Sequence, residues 1–292
     1  MSPQEARDRP EYVAARTVLL DALEALRPHE AAVVLAGAQA VYLRTGPGAL
    51  PIAEFTTDGD LALDPALLTE APPLGDLMSA AGFRLAELQG ASEPGIWEKE
   101  VDMDGVEAPV AVDLIVPAGV APPGGTRGAR LVGHGKRAAR KTSGLEAALV
   151  DNDLMLIEAL DPADDRVVRL RVAGVAALLV AKAHKIGDRL ESGREDRLND
   201  KDAADVVRLM QGSSPAAVAG TFRLLMTHPD AGAPSGLGLG LLAELFGSRA
   251  GTGIAMASQA LRGVMPEERV RAICLAYMAE LRADPAGPGV DD

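Results

Sequence analysis

Residues 55–64 read FTTDGDLALD, a strand-like apolar run that carries Asp58 and Asp60 two positions apart. Asp is disfavoured in strands, and burying an unpaired carboxylate is costly. In an extended strand residues i and i+2 share a face, so the two carboxylates project side by side. Carboxylates that close repel unless a proton or a cation lies between them. An all-oxygen pair suits a hard divalent cation such as Mg²⁺.

The flanking sequence supplies partners for this pair. Upstream, VLAGAQAVYL (34–43) places Gly37 where a short buried strand (31–37) turns into a helix (38–46). Glycine there permits close backbone approach, and the N–H groups of the new helix offer a phosphate site. Downstream, PVAVDLIVP (109–117) is an apolar strand with one carboxylate, Asp113, as a candidate third acid. Strand–Gly–helix, then Asp-x-Asp, then a third Asp is an arrangement for metal-assisted phosphoryl or nucleotidyl transfer.

The wider pattern divides the chain. An amphipathic helix is expected at 11–27 and another after the APP break, within 66–83. IWEKEVDM (96–103) pairs with the Asp113 strand as a hairpin, and NDLMLIEAL (152–160) with RVVRLRV (166–172) as a second. From Val172 the periodicity becomes helical. The expected organisation is α/β (α+β): a mixed-sheet domain over 1–172, a helical domain over 173–283, and a disordered tail over 284–292.

The order Gly37, Asp58-Gly59-Asp60, Asp113 resembles the polymerase-β-like nucleotidyltransferase superfamily. LLVAKAHKIGDRL (178–190) followed by NDKDAADVVRL (199–209) resembles the Lys…Arg…Lys-Asp-x-x-Asp pattern of the AbiEii/AbiGii-type nucleotidyltransferases. Many of these are toxins of toxin–antitoxin pairs. The resemblance covers roughly residues 31–210. It implies Asp58, Asp60 and Asp113 as catalytic, Mg²⁺-binding acids. It implies nucleotide contacts at Gly37, Ala38, Lys182, Arg189, Lys201 and Asp205. An NTP would be the donor, tRNA or a protein the acceptor, and an antitoxin the controlling partner. The sequence departs from the pattern at Gly37-Ala38, where Gly-Ser or Gly-Gly is usual, at Glu54 and at Gly59. Two alternatives stand beside this reading: a small-molecule adenylyltransferase of the antibiotic type, and an inactive fold that binds a nucleotide or partner.

Composition narrows the field. A net charge of −13 over 292 residues argues against a general nucleic-acid-binding surface. One cysteine excludes an intrachain disulfide, and four scattered histidines show no zinc spacing. The charged N-terminus and the absence of a long apolar run predict a cytoplasmic protein without membrane contact. Against the acidic background, RGARLVGHGKRAARK (127–141) carries six Lys/Arg and no acid. It is read either as a solvated loop or as a surface for RNA or triphosphate. Asp151 and Asp153 form a rival acidic pair, explained more cheaply by a turn or cap.

Overall fold

The computed structural model describes residues 9–46, 56–103, 105–192 and 200–283. Glu54, most of the 46–53 loop and the 284–292 tail lie outside them. The chain is mixed α/β: a sheet with helices, then an all-helical region.

Among the described residues, eight strands form one mixed sheet: β1 (Val33–Ala36), β2 (Asp58–Leu63), β3 (Arg84–Leu88), β4 (Ala91–Met103), β5 (Val106–Pro117), β6 (Arg140–Thr142), β7 (Asn152–Glu158) and β8 (Val167–Ala173). Their order is β3-β4-β5-β2-β1-β8-β7, with β6 also on β5. Both expected hairpins form, β4–β5 and β7–β8, each antiparallel. β2 lies between antiparallel β1 and parallel β5.

Helix α1 (Pro10–Ala25) buries Tyr12, Ala15, Leu19, Leu20 and Leu23 against the sheet. Gly59 sits under this helix, where a Cβ would lie 3.2 Å from Leu19 Cδ1. The small residue between the two acids therefore allows helix and strand to pack closely. Helix α2 (Gly37–Thr45) follows β1 directly.

The helix expected within 66–83 shrinks to α3 (Leu74–Ala80). Pro72 and Pro73 cannot donate backbone hydrogen bonds, and two buried histidines hold the preceding segment as a loop. His29 Nε2 donates to Pro72 O at 2.8 Å, and its Nδ1 lies 2.9 Å from Thr69 Oγ1. His134 Nδ1 accepts from Leu74 N at 3.0 Å, which leaves Nε2 to donate to Thr69 O at 2.8 Å.

The helical region comprises α4 (Val175–Glu191), α5 (Asp200–Gly212), α6 (Pro215–Thr227), α7 (Gly232–Phe246), α8 (Thr252–Ala260) and α9 (Glu267–Ala283). One continuous hydrophobic core joins it to the sheet. Asp151 caps α4, accepting from Ala177 N at 2.9 Å, and Asp153 pairs with Arg44 at 2.6 Å. The rival pair is thus structural. No helix among the described residues is long and apolar enough to cross a membrane.

Candidate functional site

The site begins where β1 becomes α2. Asp60 stands opposite Ala36 on β1 and opposite Asp113 on β5. Gly37 follows Ala36 with φ +66°, and a Cβ on it would lie 1.9 Å from Asp60 Oδ2. Only glycine tolerates both that backbone and that contact. α2 has no side-chain cap, so its first N–H groups lack that partner, as an anion site requires. Asp58, two residues before Asp60, accepts from Thr56 Oγ1 at 2.5 Å.

The electrostatics follow from this crowding. Burial raises the pKa of Asp60, and the neighbouring Asp58 charge adds to the rise, partly offset by Lys185, Arg140 and Lys182. Asp113 is nearly buried on a central strand, not an edge. Burial lifts it to about 6, against the pull of Arg140 and with repulsion from Asp60 adding.

Arg140 is the residue that the sequence reading did not single out. β4 pairs with β5 only as far as Ile96–Asp113, after which β6 takes its place, with Arg140 opposite Ile115. Gly95 makes the handover possible: with φ +75°, its Cβ would lie 2.3 Å from Arg140 N and 2.6 Å from Leu114 O. Ile115 shares a face with Asp113, so the neighbouring Arg140 side chain reaches back and bonds Asp113 Oδ2 at 2.5 Å. Two of the other cations of the basic segment are engaged elsewhere. Arg127 pairs with Glu93 at 2.9 Å, and Lys141 donates to the carbonyls of Gly124 and Gly125. Arg130, Lys136 and Arg137 remain exposed.

The opposite wall comes from α4. Lys182, Lys185 and Arg189 line the same cleft as Gly37, Asp58, Asp60, Asp113 and Arg140, a space of about 440 Å³. Lys182 is not a free phosphate ligand. Its side chain is 5% exposed, and Nζ lies 2.7 Å from both Asp202 and Asp205 on α5. Burial alone would lower its pKa, but Asp205 and Asp202 hold it well above the usual lysine value. Asp202 also receives Arg189 at 2.5 Å and Lys185 at 3.4 Å. Burial would raise Asp202, yet these cations bring it well below the usual carboxylate range. Lys185 is 44% exposed and is the more accessible cation.

Of the other expected residues, Ala38 and Asp205 are buried, and neither they nor Lys201 line the cleft. Lys201 still feels the Asp58 charge: burial lowers its pKa, against Asp205 and Asp58. A second cavity of about 430 Å³, between α1 and β8, is floored by leucines and rimmed by mixed charge without comparable convergence.

Among the described residues, no three His, Cys, Asp or Glu side chains form a ready-made metal cage. Mg²⁺ does not require such a cage: it keeps several waters and takes one or two carboxylates plus substrate phosphates. Asp58 and Asp60 are the carboxylates that would hold such an ion, and the Asp58 charge beside Asp60 is one that a cation would relieve. In comparisons with known proteins, the chain matches no family model and no curated protein.

Proposed function

We propose that the chain is a Mg²⁺-dependent nucleotidyltransferase that moves a nucleoside monophosphate from an NTP to an acceptor hydroxyl. One observation carries this reading: Asp58, Asp60 and Asp113 crowd onto neighbouring strands beside the uncapped start of α2, with Gly37 packed against Asp60.

In this reading the first N–H groups of α2 hold the NTP phosphates, and Lys185 and Arg189 offset their charge from the opposite wall. Asp58 and Asp60 hold Mg²⁺, with Asp113 adjacent; when bound, the ion neutralises charge on the phosphates. Asp113 lies beside the reacting centre and takes the proton of the acceptor hydroxyl. The hydroxyl oxygen bonds to the α-phosphorus, the bond to the β-phosphate oxygen breaks, and pyrophosphate leaves. Lys182 stands in that wall and fixes α4 against α5.

The resemblance to AbiEii/AbiGii-type enzymes extends the proposal to a toxin controlled by an antitoxin, with tRNA or a protein as acceptor. A second reading, an inactive nucleotide or partner binder, draws on the engagement of Lys182 and Asp113 by protein partners. Incubation with α-³²P-labelled NTPs, Mg²⁺, total RNA and protein separates them. Label is expected in one acceptor with wild type and not with Asp60→Ala. No label in either, with NTP binding intact, favours the inactive binder.

A further inference from the structure

The Arg140–Asp113 pair has an unfinished hydrogen-bond account. A guanidinium carries five N–H donors. Arg140 gives Nη2 to Asp113, and Nη1 makes only a long contact, 3.4 Å, with Thr142 Oγ1. Its Nε is buried and has no acceptor among the described residues. A buried cationic donor left unmade is costly. The side chain nevertheless lines the cleft and remains 31% exposed. Nε and Nη2 together form the fork that binds two oxygens of one oxyanion. Asp113 occupies only part of it.

We propose that Arg140 is a substrate-phosphate ligand of this cleft and a latch on Asp113, an inference that rests on the nucleotidyltransferase reading. Without substrate, Arg140 holds Asp113 through Nη2. A phosphate entering the cleft draws the guanidinium outward, offers oxygens to both Nε and Nη2, takes over the fork and releases Asp113. The carboxylate thus becomes available to the acceptor hydroxyl only when the donor is in place. No covalent bond is made or broken in this exchange. Lysine cannot replace arginine fully, because an ammonium has no fork.

Two predictions follow that a merely structural Arg140 would not produce. Replacing Arg140 weakens phosphate binding by about 10- to 100-fold, the range for hydrogen bonds to charged groups. Replacing Asp113 by Asn tightens it, because the latch no longer competes. Loss of the Asp113 charge would also favour any anion, so the two effects are separated by a double-mutant cycle.

The experiment is calorimetric titration of inorganic triphosphate, in EDTA, into wild type, Arg140→Ala, Arg140→Lys, Asp113→Asn and Asp113→Asn/Arg140→Ala. Mg²⁺ with ATP is titrated in parallel into wild type, and circular dichroism checks that each variant folds. The latch predicts weaker binding by Arg140→Ala, an intermediate value for Arg140→Lys, and tighter binding by Asp113→Asn. It further predicts that the Asp113→Asn gain shrinks in the Arg140→Ala background, leaving only the part due to the lost charge. Equal binding by wild type and Arg140→Ala, or an undiminished Asp113→Asn gain in the double variant, overturns the latch and leaves the nucleotidyltransferase reading standing. If wild type binds neither triphosphate nor Mg²⁺-ATP, that reading falls and the latch with it. Should Arg140→Ala not fold, Arg140→Lys and Asp113→Asn/Arg140→Lys take its place in the cycle and give the decision.

Discussion

Replacing Lys182 by Met tests whether its ammonium serves the fold or the ligand. The thioether chain keeps the length and volume of the stem while removing the charge. Lys182 Nζ lies 2.7 Å from two carboxylates whose side chains are 4–6% exposed. Asp202 keeps Arg189 and Lys185 as partners, whereas Asp205 loses its direct ion pair. Breaking a buried pair by removing one member costs about 3–5 kcal/mol, because the other charge stays buried. At roughly 2–3 °C per kcal/mol for a large domain, Lys182→Met should lower Tm by roughly 6–15 °C. Adding Asp205→Asn should recover part of that loss, since the stranded charge goes too. Calorimetry on the two single variants and the double variant measures both effects. If Lys182→Met kept the wild-type Tm but lost triphosphate binding, the reasoning would fail, and Lys182 would be a ligand residue after all.

Two further outcomes are expected. Gly37→Ala should destabilise the protein by at least ~1–2 kcal/mol from its left-handed backbone alone, before the clash with Asp60; a wild-type urea midpoint would refute the packing argument. His134 is held neutral mainly by burial, with its Nδ1 accepting from Leu74 N. Its folded pKa is lowered, so the unfolded chain binds the proton more readily. Its contribution is therefore complete above about pH 6.5 and is lost as pH falls toward the lowered folded value. The drop in urea midpoint between pH 7.5 and 5.5 should be smaller in His134→Gln than in wild type.

The acids at the heart of the site were legible because strand geometry has a fixed period. Two residues apart means one face, wherever the strand lies, and Asp58 with Asp60 needed nothing more. That Asp113 would stand opposite Asp60 depends on parallel register, which the sequence only hinted at through an isolated charge in an apolar strand. Arg140 was hidden for a different reason. β6 has three residues, too few to show alternation, and its partner on β5 is defined only after β4 has turned aside at Gly95. Lys182 was visible, but its engagement by two carboxylates was not. Its partners lie on the next helix, and their distance depends on how α4 and α5 pack, not on spacing along either. The missing first turns of the 66–83 helix came from underweighting Pro72 and Pro73. Strand β3 lies just beyond that span, at Arg84–Leu88, and had no reading of its own.

The walls of the cleft come from distant parts of the chain: Gly37, Asp60 and Asp113 on one side, the α4 residues 178–189 on the other. During synthesis the first wall leaves the ribosome well before the second. An N-terminal fragment ending at residue 172 would carry Asp58, Asp60 and Asp113, yet it would lack the wall that holds Leu178, Ala181 and Lys185. Domains tend to fold as units while the chain emerges. Here the cleft itself cannot exist until the helical half docks. The site is therefore silent in the nascent chain, and no cut at the change from mixed to helical sequence can yield a fragment that retains it.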